Sequence, residues 1–219
     1  MADEAAPLRS DAERNRDRIL AAARRRYATD GINVSMACLA RDAGVGIATL
    51  FRRFPTRQDL VAAVFAETMD AYADATATAL ADPDPWHGFT GYLETVCAMQ
   101  AADRGFAELL TMTFPTAKAL EARRAEAYAG FTALIARAKA AGKLRPDFTP
   151  EDLGLLLMAN AGVIAATRGA APDAWRRLVG YMLQAFAVHD ADALPPALDP
   201  TALFRAMVRL NRDARAGET

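Results

Sequence analysis

Three arginines, Arg52, Arg53 and Arg57, lie within six residues of one another beside Thr49, and Ser35 stands a short distance upstream. Guanidinium groups and hydroxyls are the donors that grip phosphate oxygens, and an arginine fork also reads the acceptor pair on a guanine edge. Ile47, Ala48 and Phe51 stand among them. Ile47 and Ala48, being apolar or small, can meet a thymine methyl. The spacing therefore suits a surface that holds a polyanion and reads base edges.

Such residues need a frame. The stretch from Ser35 to Leu60, SMACLARDAGVGIATLFRRFPTRQDL, predicts a helix, a tight turn and a second helix. Ala40, placed early in the first helix, lets the two helices cross closely. Gly44 supplies the positive φ that a sharp interhelical turn needs. Val45, Leu50 and Phe54 face inward and lock the second helix onto the first. Ile47, Ala48, Thr49, Arg52 and Arg53 are left on or near the outer face.

The same residues resemble the DNA-binding motif of the TetR/AcrR family of bacterial transcriptional regulators. The likeness covers roughly the first 65 residues, and it is strongest to members reading GVGIGTLYRRFPTREAL where this chain reads GVGIATLFRRFPTRQDL. There are departures. Ala48 stands where the family often has Gly. Phe51 replaces the usual Tyr and lacks the hydroxyl that relatives often place on a phosphate. Arg53 stands where His or Tyr is common, and Arg57 where Lys is frequent. The resemblance implies an all-α chain with two parts. Residues 1–65 would form a three-helix, helix-turn-helix DNA-binding domain, ordered from about residue 11 and with a linking helix to about residue 80. Residues 66–219 would form a helical ligand-binding and dimerisation domain. It implies double-stranded DNA with a palindromic operator as partner. Ser35, Ile47, Ala48, Thr49, Phe51, Arg52, Arg53 and Arg57 would make the contacts.

Bulk composition is compatible with this. Hydrophobic types make up 53% of the 219 residues and charged types 24%, enough for a packed core. The net charge of −1 conceals a polarity: residues 1–60 carry eleven arginines against eight acids, and the remainder is acidic. A basic head on an acidic body can bind DNA because phosphate attraction is local and screened beyond about 8–10 Å. Arg24, Arg25 and Arg26 add to the basic cluster. The polar, acidic N-terminus does not resemble a signal peptide, and no apolar run predicts a membrane span, so a cytoplasmic protein is expected. Cys38 and Cys97 read as buried free thiols.

In chain order, residues 1–12 read as disordered and the first helix as running from about Asp11 to Asp30, stopped by Gly31. Ser35 reads as an N-cap without a capping box, since Cys38 rather than Glu follows three residues on. Pro55 breaks the second motif helix, Thr56 caps the next, and that helix continues to about Leu80. ADPDPWHG is a break. An apolar stretch from Trp86 to Phe114 follows, Pro115 interrupts it, and an amphipathic helix covers about Thr116 to Ala141. Leu153 to Arg168 is apolar nearly all round, and its partner helix runs from about Pro172 to His189. A helix apolar on every side must be covered on every side. The resemblance assigns that cover to a second copy, giving a homodimer through helices at about 150–168 and 172–189. Thr201 to Arg212 reads as a closing helix ahead of a disordered tail.

Enzyme motifs are missing. The chain has no GxSxG, no glycine-rich phosphate loop and no HExxH, and His87 and His189 have no ligand-spaced partner. No metal, cofactor or catalytic residue is expected. The resemblance does imply a small, apolar effector in the body. Trp86, Phe89, Met99, Phe106, Met112, Phe114, Tyr128 and Met158 are the groups suited to line its cavity, although each is also an ordinary core residue. Asn160, an amide inside an apolar helix, needs a partner: its twin across a dimer axis, a ligand, or water. A different reading, a helical ligand-binding or scaffold protein that has lost DNA binding, draws on Phe51, Ala48 and the negative total charge. Arg52, Arg53 and Arg57 oppose it.

Overall fold

The computed structural model describes the backbone of residues 5–114, 116–188 and 193–216. These form eleven helices, and the one strand-like pairing among the described residues is an isolated bridge between Leu144 and Ala187. The head comprises α1 (Ala5–Asp30), α2 (Met36–Asp42), α3 (Ile47–Arg53) and α4 (Arg57–Val64). The body comprises α5 (Ala66–Leu80), α6 (Pro85–Ala102), α7 (Arg104–Leu110), α8 (Lys118–Ala140), α9 (Glu151–Thr167) and α10 (Ala174–Phe186). A last helix, α11 (Pro200–Ala216), lies against α9, with Leu203 close to Gly154.

Several boundaries follow from local chemistry already visible in the sequence. Gly31 (φ 84°) ends α1, its N–H donating to the Tyr27 carbonyl. The Cys38 N–H donates to Ser35 Oγ at 3.2 Å, capping α2. Thr56 makes a full capping box with Asp59: the Asp59 N–H donates to Thr56 Oγ1, and the Thr56 N–H to Asp59 Oδ2.

Other expectations need correction. α1 begins at Ala5, inside the segment expected to be disordered, because Ala, Leu and Arg let an established helix propagate outward and Pro7 falls in its first turn. The single helix expected from Thr56 to Leu80 is two helices, broken at Phe65 (φ −98°, ψ 9°). The Phe65 ring is drawn into the core against Tyr27 and Phe106, and burying it outweighs one helical turn. Cys97 is buried, and burial pushes its thiol up to about 12. Cys38 is only half-buried, against expectation, and its sulfur accepts from Arg41. The expected break at Pro115, the helix end at His189 and the tail beyond Ala216 lie outside the described residues.

The core is continuous from head to body. Rings touch in sequence from Tyr27 on α1 through Phe65, Phe106, Tyr72, Tyr92, Phe131, Phe89 and Phe148 to Phe186 on α10, with centroids 4.8–6.4 Å apart. Two arginines of α8 cap neighbouring helices, where a cation complements the carbonyl end of the helix dipole. Arg124 donates to the Leu109 and Leu110 carbonyls of α7, and Arg137 to the Leu80 and Asp82 carbonyls after α5.

In the turn between α5 and α6, His87 Nδ1 lies 2.5 Å from Asp82 Oδ2. The Asp82 carboxylate raises the His87 pKa, and His87 in turn lowers that of Asp82. The histidine's share of stability is complete below its unfolded value of 6.5 and fades as pH rises through the elevated folded value. The aspartate's share is complete above 3.8 and fades as pH falls through its depressed folded value. The pair therefore stabilises the turn fully between these two values. His87→Gln is expected to flatten the fall of thermal midpoint above the upper one, and an unchanged slope in a pH series of melts would refute this.

Candidate nucleic-acid interface

The motif is a helix, a turn and a helix held from behind by α1. Gly44 sits in the turn at φ 61°, and its carbonyl accepts from Arg18 of α1 at 2.7 Å. The Val45 N–H donates to the Ala40 carbonyl at 3.0 Å, closing the turn. Ala40 is buried but lies in the second half of α2 rather than early in it, so the close approach falls beside the turn. Leu50 and Phe54 are buried, and Arg16 lies over the Phe54 ring. These contacts fix which face of α3 points away from the protein.

That outward face carries Ile47 (43% exposed), Ala48, Phe51 (45% exposed), Arg52 and Arg53. Large apolar side chains left in water on a short helix mark a surface with a partner. Arg52 and Arg53 are exposed, and neither makes an ion pair or side-chain hydrogen bond among the described residues. Their charge remains available. Thr49 is half-buried, and Ser35 spends its hydroxyl on the α2 cap.

Not every expected arginine joins this face. Arg57 is half-buried, and its charge acts on the Tyr27 phenol, whose pKa burial pushes up. Of the upstream cluster, Arg26 is tied to Asp42 at 2.6 Å and to Asp30 at 3.0 Å, and it holds the Asp42 carboxyl below its usual range. Arg24 donates to the Val64 carbonyl at 3.4 Å. These side chains brace α1 against α2 and α4. A run of arginines in sequence is thus divided by three-dimensional position between structure and surface.

The join between head and body has no signature in the sequence. Glu108 of α7 accepts from the Ile32 N–H at 2.9 Å, just beyond α1, and from Arg104 Nε at 2.9 Å. Arg104 also reaches the Thr29 carbonyl. α7 lies so close to α1 that a Cβ on Gly105 would sit 2.9 Å from the Tyr27 carbonyl oxygen and 2.8 Å from the Phe65 ring. Pairs more than seventy residues apart leave no local signal.

The residues expected to line an effector cavity differ in burial. Phe89, Phe106, Met112 and Phe114 are buried, Trp86, Met99 and Met158 are half-buried, and Tyr128 is 51% exposed on α8. Trp86, Phe89 and Phe106 pack on other rings. A cleft of about 580 Å³ lies elsewhere, between α5 and α6. Asn160 is fully buried, and its Nδ2 donates to Gln100 Oε1 at 2.8 Å, a partner within the same chain, while its Oδ1 has no hydrogen-bond partner among the described residues.

A helix-turn-helix with an exposed basic and apolar face, on an all-helical body, defines a DNA-binding regulator. The family profile described as bacterial regulatory proteins, tetR family, matches residues 19–64, and that of the C-terminal domain of SbtR-like transcriptional regulators matches residues 84–186. The chain belongs to the TetR family of transcriptional regulators. It is 31% identical to a TetR regulatory protein of Mycobacterium vanbaalenii of known structure, over 83% of this chain and 100% of that one, with a TM-score of 0.48. The same fold appears in FadR of Bacillus subtilis, solved in complex with stearoyl-CoA, at 12% identity, coverage of 76% and 96%, and a TM-score of 0.57. An HTH-type transcriptional regulator of Staphylococcus aureus is 35% identical over 66 residues, which is 30% of this chain and 36% of that protein. The chain therefore matches about a third of the length of such curated relatives.

Replacing Phe51 by tyrosine restores the hydroxyl common in the family at an exposed position. One neutral hydrogen bond to a phosphate is worth about 0.5–1.5 kcal/mol, so F51Y is expected to tighten DNA binding roughly two- to tenfold. Equal or weaker affinity in a titration of both proteins at one salt concentration would show that residue 51 faces no phosphate.

Proposed function

We propose that the protein is a dimeric repressor that holds a palindromic operator and leaves it when a small molecule binds the body. The carrying observation is the outer face of α3, where Ile47, Ala48, Phe51, Arg52 and Arg53 are exposed together and both arginines lack ion pairs among the described residues. In this reading Arg52 and Arg53 take phosphates or a guanine edge, Ile47 and Ala48 meet a thymine methyl, and Phe51 lies beside a phosphate. Ser35, Thr49 and Arg57 flank the contact at the helix ends.

The dimer reading is supported by apolar surface left open on the last body helices. α9 exposes Leu155, Ala159, Gly162 and Ala166, which recur at helical spacing on one side, and α10 exposes Tyr181 and Ala185 beside half-buried Leu178 and Met182. A second copy covers such a face, and small residues allow close approach. Two heads would then enter successive major grooves about 34 Å apart. The effector reading is supported by the hydrogen-bonded join of α7 to the end of α1, which ties head to body, and by the ligand held in the similarly folded FadR. DNA and effector must then weaken each other by the same factor.

The test is fluorescence anisotropy with DNA from upstream of the protein's own gene, with non-specific competitor, over a salt series. Tight binding at two chains per site, or a multiple of two, with a steep linear fall of log K against log salt is expected. Failure of the folded dimer to enrich any sequence from a random library would instead favour a scaffold that has lost DNA binding.

A further inference from the structure

The cleft between α5 and α6 has a volume of about 580 Å³, within the range of small-molecule sites. Its floor is made of side chains too small to fill it: Ala71, Ala75 and Ala79 from α5, facing Gly88 and Gly91 from α6. The two glycines differ in what requires them. A Cβ on Gly88 would collide with the Ala79 carbonyl oxygen, so close helix crossing demands glycine there. A Cβ on Gly91 would meet nothing within 4 Å. Glycine in the middle of an 18-residue helix weakens that helix, and packing gives no reason for it at Gly91. Its effect is to keep the cleft open.

The charge-bearing lining is two aspartates and one histidine, His87. Asp74 and Asp82 face the cleft, with Thr78 and Thr95 beside them. Asp82 is committed to His87 and to the Asp84 N–H. Asp74 has no ion pair or side-chain hydrogen bond among the described residues. Asp84 and Glu94 lie near enough to act on His87 electrostatically, so the surroundings of His87 add further negative charge. On the other side, the Arg137 guanidinium is occupied by the Leu80 and Asp82 carbonyls. Of the three charge-bearing residues that line the cleft, Asp82 and His87 are paired with each other and Asp74 is left to face it, above a floor of methyl groups and the Tyr92 ring.

We propose that this cleft is a binding site for small organic cations, with Asp74 as the counter-ion and the alanine and glycine floor taking the apolar part. Resting on the regulator reading above, the site also gives the effector class: α5 begins directly after α4 of the head, so a molecule wedged between α5 and α6 acts on the body helix that follows the head in the chain.

The test is calorimetric titration of the full-length protein with benzyltrimethylammonium and with cadaverine, using phenylacetate and benzyl alcohol as anionic and neutral controls. Saturable binding of the cations and not of the controls is expected. Asp74→Asn is expected to weaken the cations by about tenfold, the effect of one charge-assisted contact. Gly91→Leu fills the cleft and is expected to abolish binding while helical content is retained. Gly91→Ala serves as the folding control, raising the thermal midpoint as it narrows the cleft. No saturable binding of either cation, equal binding of the controls, or cation affinities unmoved by both Asp74→Asn and Gly91→Leu would overturn the site. DNA affinity measured with and without saturating cation tests the effector role separately. Unchanged affinity would overturn that role and leave the site. A protein that binds cations but no DNA would remove the regulator reading and leave the site.

Discussion

Alanine at both Arg52 and Arg53 is expected to weaken operator binding by roughly thirtyfold at the least, since each contact from such a side chain is worth about 1–3 kcal/mol. Stability should not follow. Both side chains are exposed and neither is paired among the described residues, so their removal breaks no internal contact. The salt dependence should also soften, the slope of log K against log salt shrinking by about 0.9 for every phosphate that is no longer neutralised. An anisotropy titration at three salt concentrations, with a thermal melt of the same preparation, decides the matter. Unchanged affinity would remove the outer face of α3 from the interface, and a lowered melting point would mean that the arginines serve the fold.

The second large effect is at Gly105. Alanine there places a Cβ 2.9 Å from the Tyr27 carbonyl oxygen and 2.8 Å from the Phe65 ring, and the backbone of α1 cannot yield as a flexible side chain would. Forcing α7 off α1 is an overpacking defect of about 3 kcal/mol. It also strains the Glu108 to Ile32 hydrogen bond. Urea denaturation of Gly105→Ala is expected to show a clearly lowered midpoint. The same exchange at Gly91 should stabilise by about 0.5–1 kcal/mol, because its Cβ enters open space in a helix. Equal effects at the two positions would contradict the packing described at one of them.

Local chemistry explains which features the sequence disclosed. Ser35, Gly31, Gly44 and Thr56 act on backbone groups a few residues away, so their types and spacing mark caps and turns directly. Leu50, Phe54 and the α8 stripe of Leu120, Phe131 and Leu134 are buried as helical periodicity requires. The exposed face of α3 is the complement of that buried set, which is why it too could be read in advance.

What the sequence left open depends on partners distant in the chain. Whether an arginine among Arg24, Arg26, Arg52, Arg53 and Arg57 braces the head or faces outward depends on Asp42, Val64 and Tyr27 being nearby, and only folding brings them there. The break at Phe65 arises because its ring finds Tyr27 and Phe106, although the local pattern continues a helix. Trp86 and Phe89, offered by composition as cavity lining, stack on each other, while a set of alanines and glycines borders the cleft between α5 and α6. Sequence alone determined most of the helices, the caps at Ser35 and Thr56 and the exposed face of α3, because hydrogen bonds and periodicity act over one or two turns. Tertiary structure decided the braces, the head-to-body join and the cleft, because these are set by which surfaces meet, and burial of apolar area has no direction along the chain.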